Sequence, residues 1–164
     1  MKNKNIKSLF CLLAVIFAAC AISCQNNGDI GRYFGTWRLE SYTVDGNKVE
    51  EVTIDGNTVP TTNVTFSFQN NIVNVVTIID DYESYYSRFG TWEDEGSTFV
   101  LDFTHTDATD TAPGTGQYAA PEWLGMVSDM PMHMALSGTG NKDFTLTWND
   151  PEGSVRVYSL HKTW

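Results

Sequence analysis

The sequence predicts an all-β protein, an eight-stranded up-and-down antiparallel barrel with its long loops at one end. Three observations predict it. After residue 30, short apolar and β-branched runs alternate with turn residues, and helical periodicity is hard to find. In the runs at 62–68, 98–104, 132–137 and 143–148, every second side chain is apolar, giving each run one face to bury and one to expose. Connections in a meander also alternate between two ends, and the two long ones, 44–61 and 105–131, fall at the same end.

The first run, 36–43, sets Trp37 and Leu39 on one face. The second, 62–68, aligns Val64, Phe66 and Phe68 against Thr65 and Ser67, and Gln69-Asn70-Asn71 turns the chain tightly. The third, 72–79, is apolar without clean alternation, and Asp80-Asp81 breaks it. The fourth is 84–93, followed by an Asp94-Glu95-Gly96 turn. The fifth, 98–104, aligns Phe99, Leu101 and Phe103. The sixth is 132–137, with a loop over 138–142. The seventh, 143–148, aligns Phe144, Leu146 and Trp148, and Asn149-Asp150-Pro151-Glu152-Gly153 turns into the last run, 154–162. In a meander of these eight, the long connections 44–61 and 105–131 share one end, and the three connections at the other end are all short. That describes a cup, since eight strands close around side chains or one small ligand.

The N-terminus reads as an export signal. Lys2, Lys4 and Lys7 precede an apolar stretch over 9–22. As a helix this stretch is about 21 Å long, too short for a bilayer. It ends in Ala21-Ile22-Ser23-Cys24, which resembles the lipobox of bacterial lipoproteins. The resemblance implies cleavage before Cys24 and a diacylglyceryl group on its sulfur; an ordinary signal peptide cut near Ala19 or Ala21 is the alternative. The expected organisation is a signal peptide over 1–23, a lipidated tether over 24–32 and a barrel domain over 33–164. The expected location is the cell envelope, lipid-anchored at the outer membrane on either of its sides, with the membrane itself as first partner.

Cys11 and Cys20 leave with the signal and Cys24 carries lipid, so the barrel has no disulfide. All 20 acidic residues follow Cys24, while three of the 10 basic residues precede it, so the exported part is more acidic than the chain's formal −10. With no basic patch, nucleic acid is not an expected partner.

Gly35-Thr36-Trp37 resembles the G-x-W motif of lipocalins. The wider segment from Phe34 to Tyr42, with Asp45-Gly46 after it, resembles the lipocalin-like lipoprotein domains of Bacteroidetes, which often repeat G-x-W in mid-domain. Here the second copy is Gly90-Thr91-Trp92, and the chain ends in the similar Tyr158-Ser159-Leu160-His161-Lys162. The resemblance implies a lipocalin-like barrel in which Gly35, Trp37, Gly90 and Trp92 are structural. Trp37 would plug the closed end, with a basic residue of the last strand above it; Arg156 and Lys162 are the candidates.

No catalytic site assembles. The exported part has no free thiol and no G-x-S-x-G, and His105, His133 and His161 stand without partners. No metal or cofactor motif occurs. The acidic groups Asp80, Asp81 and Glu83, and Glu93, Asp94 and Glu95, lack calcium-loop spacing and read as solvated turns. Met126, Met130, Met132, His133 and Met134 read as core or cavity lining, with Cu(I) ligation as the alternative. Tyr82, Tyr85, Tyr86, Tyr118 and Trp123 crowd the open end, suited to a pocket mouth, a sugar platform or a protein interface, or simply tucked under the loops. Asp110-Thr111-Ala112 resembles the O-glycosylation sequon of exported Bacteroidetes proteins, which implies a sugar on Thr111.

The expected function is binding of a small hydrophobic ligand in the cup. Its expected lining is Leu39, Ser41, Phe66, Tyr86, Phe103, Met132, Met134 and Trp148. The alternative is a solid barrel whose loops bind a protein partner, as an inhibitor or complex subunit.

Overall fold

Alternation of apolar and polar side chains leaves each strand with one face that must be buried, and closing the sheet on itself buries all of them at once. The computed structural model describes residues 31–80, 84–104 and 117–164. Cys24, Thr111, Tyr82, His105, Asp81 and Glu83 lie outside the described residues. Among the described residues there is no α-helix. The strands are β1 (Gly35–Val44), β2 (Asn47–Lys48), β3 (Glu51–Ile54), β4 (Asn57–Pro60), β5 (Val64–Gln69) and β6 (Ile72–Asp80). They continue with β7 (Ser84–Asp94), β8 (Thr98–Asp102), β9 (Gln117–Tyr118), β10 (Met132–Gly138), β11 (Asp143–Asn149) and β12 (Val155–Lys162).

Eight of these form the closed antiparallel barrel that the sequence predicts, in the order β1-β5-β6-β7-β8-β10-β11-β12, with β12 returning to β1. The eight barrel strands coincide with the eight predicted runs to within two residues at each end. The inward residues are Phe66 and Phe68 of β5, Phe99 and Leu101 of β8, Met132 and Met134 of β10, and Phe144, Leu146 and Trp148 of β11, all buried in one core. Burying side chains of this size stabilises by roughly 1.5–3 kcal/mol each. The ambiguous third run resolves as β6 with Val73, Val75 and Thr77 inward. Its register fixes β7, because Gly90, Arg88 and Tyr86 lie opposite those three and so share the inward face.

A β-bulge interrupts β1 between Leu39 and Ser41. Leu39 lies opposite Leu160, but beyond the bulge Ser41 lies opposite Ser159 and Tyr42 opposite Tyr158. One inserted residue reverses the parity of everything after it. Tyr42 is therefore the buried residue, and the expected inward Ser41 faces the same way as Ser159. The alternation read from Trp37 and Leu39 does not extend past the inserted residue.

The turns from β5 to β6, β7 to β8 and β10 to β11 gather at one end. Gly35 adopts φ +125°, and a Cβ there would lie 2.3 Å from the Trp164 carbonyl oxygen, so the close approach admits only glycine. The Trp37 indole N–H donates to the Tyr33 carbonyl at 2.7 Å. Of the two basic candidates, Lys162 sits over the Trp37 ring, Nζ 5.1 Å from its centroid, while Arg156 bonds Asp150 at the far end. Trp92 stacks on Phe99 at 5.2 Å. Gly90 makes room for Phe103, whose Cδ1 would be 2.6 Å from a Cβ at that position.

The long connections hold structure of their own. In the first, Asp45-Gly46 and Asp55-Gly56 take positive φ at both residues, the hairpin geometry that Asp-Gly favours. The second hairpin, β3–β4, buries Val52, Ile54 and Val59 against the core. In the other, β9 pairs in parallel with β7 beside Arg88 and Phe89, where β8 does not reach.

Candidate functional site: the mouth of the barrel

The mouth carries a stopper. A single 3-10 turn at Glu122–Leu124 lies across it, with Leu124 fully buried. The Leu124 carbonyl accepts two hydrogen bonds from inside the barrel, from the Tyr42 hydroxyl at 2.7 Å and the Tyr158 hydroxyl at 2.8 Å. The two phenol rings stack at 5.0 Å. Arg156 braces them, donating from Nη1 to the Tyr42 oxygen at 2.9 Å and from Nε to Asp150 Oδ2 at 3.0 Å. Gly125 then leaves with φ +71°, and any Cβ there would strike the Arg156 guanidinium. Trp123 ties the turn to β6, its indole N–H donating to the buried Thr77 hydroxyl at 3.1 Å.

Burial drives the electrostatics here. Burial pushes the Tyr158 phenol well above its ordinary 10.0, and the neighbouring Tyr42 adds to the effect. Burial also disfavours the Asp150 carboxylate, but the Ser154 N–H and Arg156 together outweigh it and hold the group below its usual value.

The eight expected lining residues divide three ways. Leu39, Phe66, Phe103, Met132, Met134 and Trp148 come together and are buried in the core beneath the stopper. Ser41 is turned away by the bulge. Tyr86 is inward but high, at the rim, where its hydroxyl donates to Asp55 Oδ2 at 2.5 Å. That bond, then burial, raises its pKa above the ordinary 10.0.

Beside the stopper lies a cleft of about 410 Å³. Ile54 and Asp55 of the β3–β4 hairpin form one wall, Gln117, Ala119 and Trp123 of the second long connection another, and Arg88 reaches it from β7. Arg88 Cζ lies 5.0 Å from the Trp123 ring centroid and 5.9 Å from that of Tyr86. Sequence reading flagged the aromatic pair but missed Asp55, Arg88 and Gln117. The Asp55-Gly56 dipeptide between apolar residues was an available hairpin signal. Arg88 gave none, because its direction depends on a strand whose parity was unreadable.

The methionine segment does not converge. Met126, Met132 and Met134 are buried, Met130 is exposed, and His133 points outward from β10. On the outer wall, Glu40, Asp143 and His161 bring ligand atoms within 4.8 Å of one another. His161 and Asp143 already bond each other, and Arg38 pairs with Glu40 at 3.0 Å. Tyr85 and Tyr118 are exposed, with Tyr118 beside Phe89.

No family model matches the chain, and no curated protein matches it. Among solved structures it is similar to a lipocalin-like protein from Bacteroides uniformis, at 17% identity and TM-score 0.46, over 80% of this chain and 99% of that one. It is also similar to an uncharacterized protein from Bacteroides eggerthii, at 14% identity and TM-score 0.50, over 79% and 98% respectively. At such identities the likeness concerns the fold alone.

Proposed function

We propose that this chain is an exported, lipid-anchored barrel that binds a small molecule in the cleft at its mouth, and that it is not an enzyme. One observation carries the proposal. The interior positions are taken by the barrel's own side chains, whereas an open cleft of about 410 Å³ lies between the two long connections. That volume falls in the usual range of small-molecule sites, about 300–1,000 Å³. An apolar guest inside the barrel would have to displace Leu124 and break two buried tyrosine bonds.

The experiment is native mass spectrometry of the protein from its own host, beside an Ala119→Trp variant that fills the cleft. A reproducible extra mass on the natural protein, absent from the variant, is the expected result. The same mass on both would place the ligand elsewhere. The anchor is tested separately by Cys24→Ser, which should lose the acyl mass and leave the membrane fraction.

A protein partner is the second reading. The exposed Tyr85, Tyr118 and Met130 favour it. Cross-linking in intact cells that captures no stoichiometric partner would weigh against it.

A further inference from the structure

The cleft holds a cation, Arg88, with no carboxylate of the described residues at ion-pair distance. Arg88 lies opposite Val75, an inward residue, so its side chain leaves β7 toward the interior. Among the described residues no carboxylate lies within ion-pair distance of it, and its one hydrogen bond runs from Nη1 to the Ser87 carbonyl at 3.2 Å. Two aromatic faces offset part of the cost of desolvating the guanidinium. Most of its five donors remain for a ligand, in a planar fork that matches a carboxylate.

Elsewhere the cleft has the reverse chemistry. Asp55, from the β3–β4 hairpin, and Glu122, from the second long connection, also line it. A carboxylate accepts hydroxyl hydrogens and repels a bare anion. A ligand that satisfies Arg88 and both carboxylates therefore carries one acid group and several O–H donors. Trp123 adds a flat apolar face for the C–H side of a ring, and Ala119 and Ala120 leave the space for one.

We propose that the cleft takes a sugar acid, a single pyranose ring bearing one carboxylate. The carboxylate pairs with Arg88, the ring lies on Trp123, and the hydroxyls donate to Asp55 and Glu122. The inference rests on the mouth cleft being the binding site.

The test is calorimetric titration of the purified chain in detergent with glucuronate, galacturonate and glucose. At least one of the uronates should bind, glucose at least about tenfold more weakly, and Arg88→Gln should weaken that uronate by at least about tenfold. Arg88→Lys keeps the charge and loses the fork, and should fall between. Three outcomes overturn the inference: glucose binding as well as the uronates, unchanged uronate binding in Arg88→Gln, or no uronate binding at all. A neutral native occupant that Ala119→Trp expels also overturns the sugar acid while sparing the cleft. An occupant that survives Ala119→Trp overturns the cleft itself.

Discussion

The stopper makes a quantitative prediction, because one carbonyl serves two tyrosines. Tyr158→Phe removes the 2.8 Å bond to the Leu124 oxygen and leaves the 2.7 Å bond from Tyr42 in place. Losing one neutral buried hydrogen bond costs about 0.5–1.5 kcal/mol. Tyr42→Phe removes the other bond to that carbonyl and also the acceptor of Arg156 Nη1. A bond to a charged group is worth about 1.5–3 kcal/mol, so this variant should cost more, about 2 kcal/mol or above. The double variant leaves the Leu124 carbonyl with neither bond. A buried unsatisfied group costs about 1–3 kcal/mol, which neither single variant incurs. The rings remain in every case, so packing is nearly constant. Urea unfolding of the four proteins should therefore give a double variant less stable than the sum of the singles by about 1 kcal/mol or more. Additivity to within about 0.5 kcal/mol would refute the reasoning, because it would mean the carbonyl finds water and the turn is not seated.

Other consequences are as specific. Gly90→Ala should destabilise by about 1–3 kcal/mol in urea melts, because its Cβ meets the Phe103 ring and the Asp102 carbonyl oxygen and the backbone oxygen cannot move aside. Lys162→Ala should cost about 0.5–1 kcal/mol through the loss of its charge over Trp37, and a Lys162→Arg variant should retain most of that stability. Alkali should unfold the protein through its tyrosines. Burial raises Tyr158, and burial with Asp94 nearby raises Tyr33, both above 10.0. The native chain therefore holds these protons more tightly than the unfolded chain, and their stabilisation is complete below pH 10 and is lost as pH rises through the folded values. Urea midpoints should fall steadily above pH 10, with a shallower fall in Tyr158→Phe.

The barrel was legible because its evidence is local and periodic. Phe99, Leu101 and Phe103, or Phe144, Leu146 and Trp148, declare a buried face within a handful of residues. The two long connections, which fall at the same end of a meander, then locate the mouth. The bulge before Ser41 was not legible, since nothing in Leu39-Glu40-Ser41-Tyr42 marks one inserted residue. Strands β6 and β7 failed for a different reason. Ile72 to Ile79 is apolar on both faces, and only pairing with Phe66 and Phe68 decides which one turns inward. The consequence was largest at Arg88, because nothing in an ambiguous strand says that a charged residue turns inward. The stopper was illegible because it is made from distance. Tyr42, Leu124 and Tyr158 are far apart in sequence, and no local pattern announces that a carbonyl will be shared between them.

The central claim is that the barrel is filled and that small molecules bind at its mouth. Methyl-labelled NMR tests it most directly, using Met132 and Met134 for the interior and Ile54, Ala119 and Ala120 for the cleft. The titrant would be a small-molecule extract of the host's own cell envelope. The account predicts that the Ile54, Ala119 and Ala120 methyls shift and saturate while those of Met132 and Met134 stay where they are. Movement of Met132 and Met134, or of no methyl at all, would contradict it.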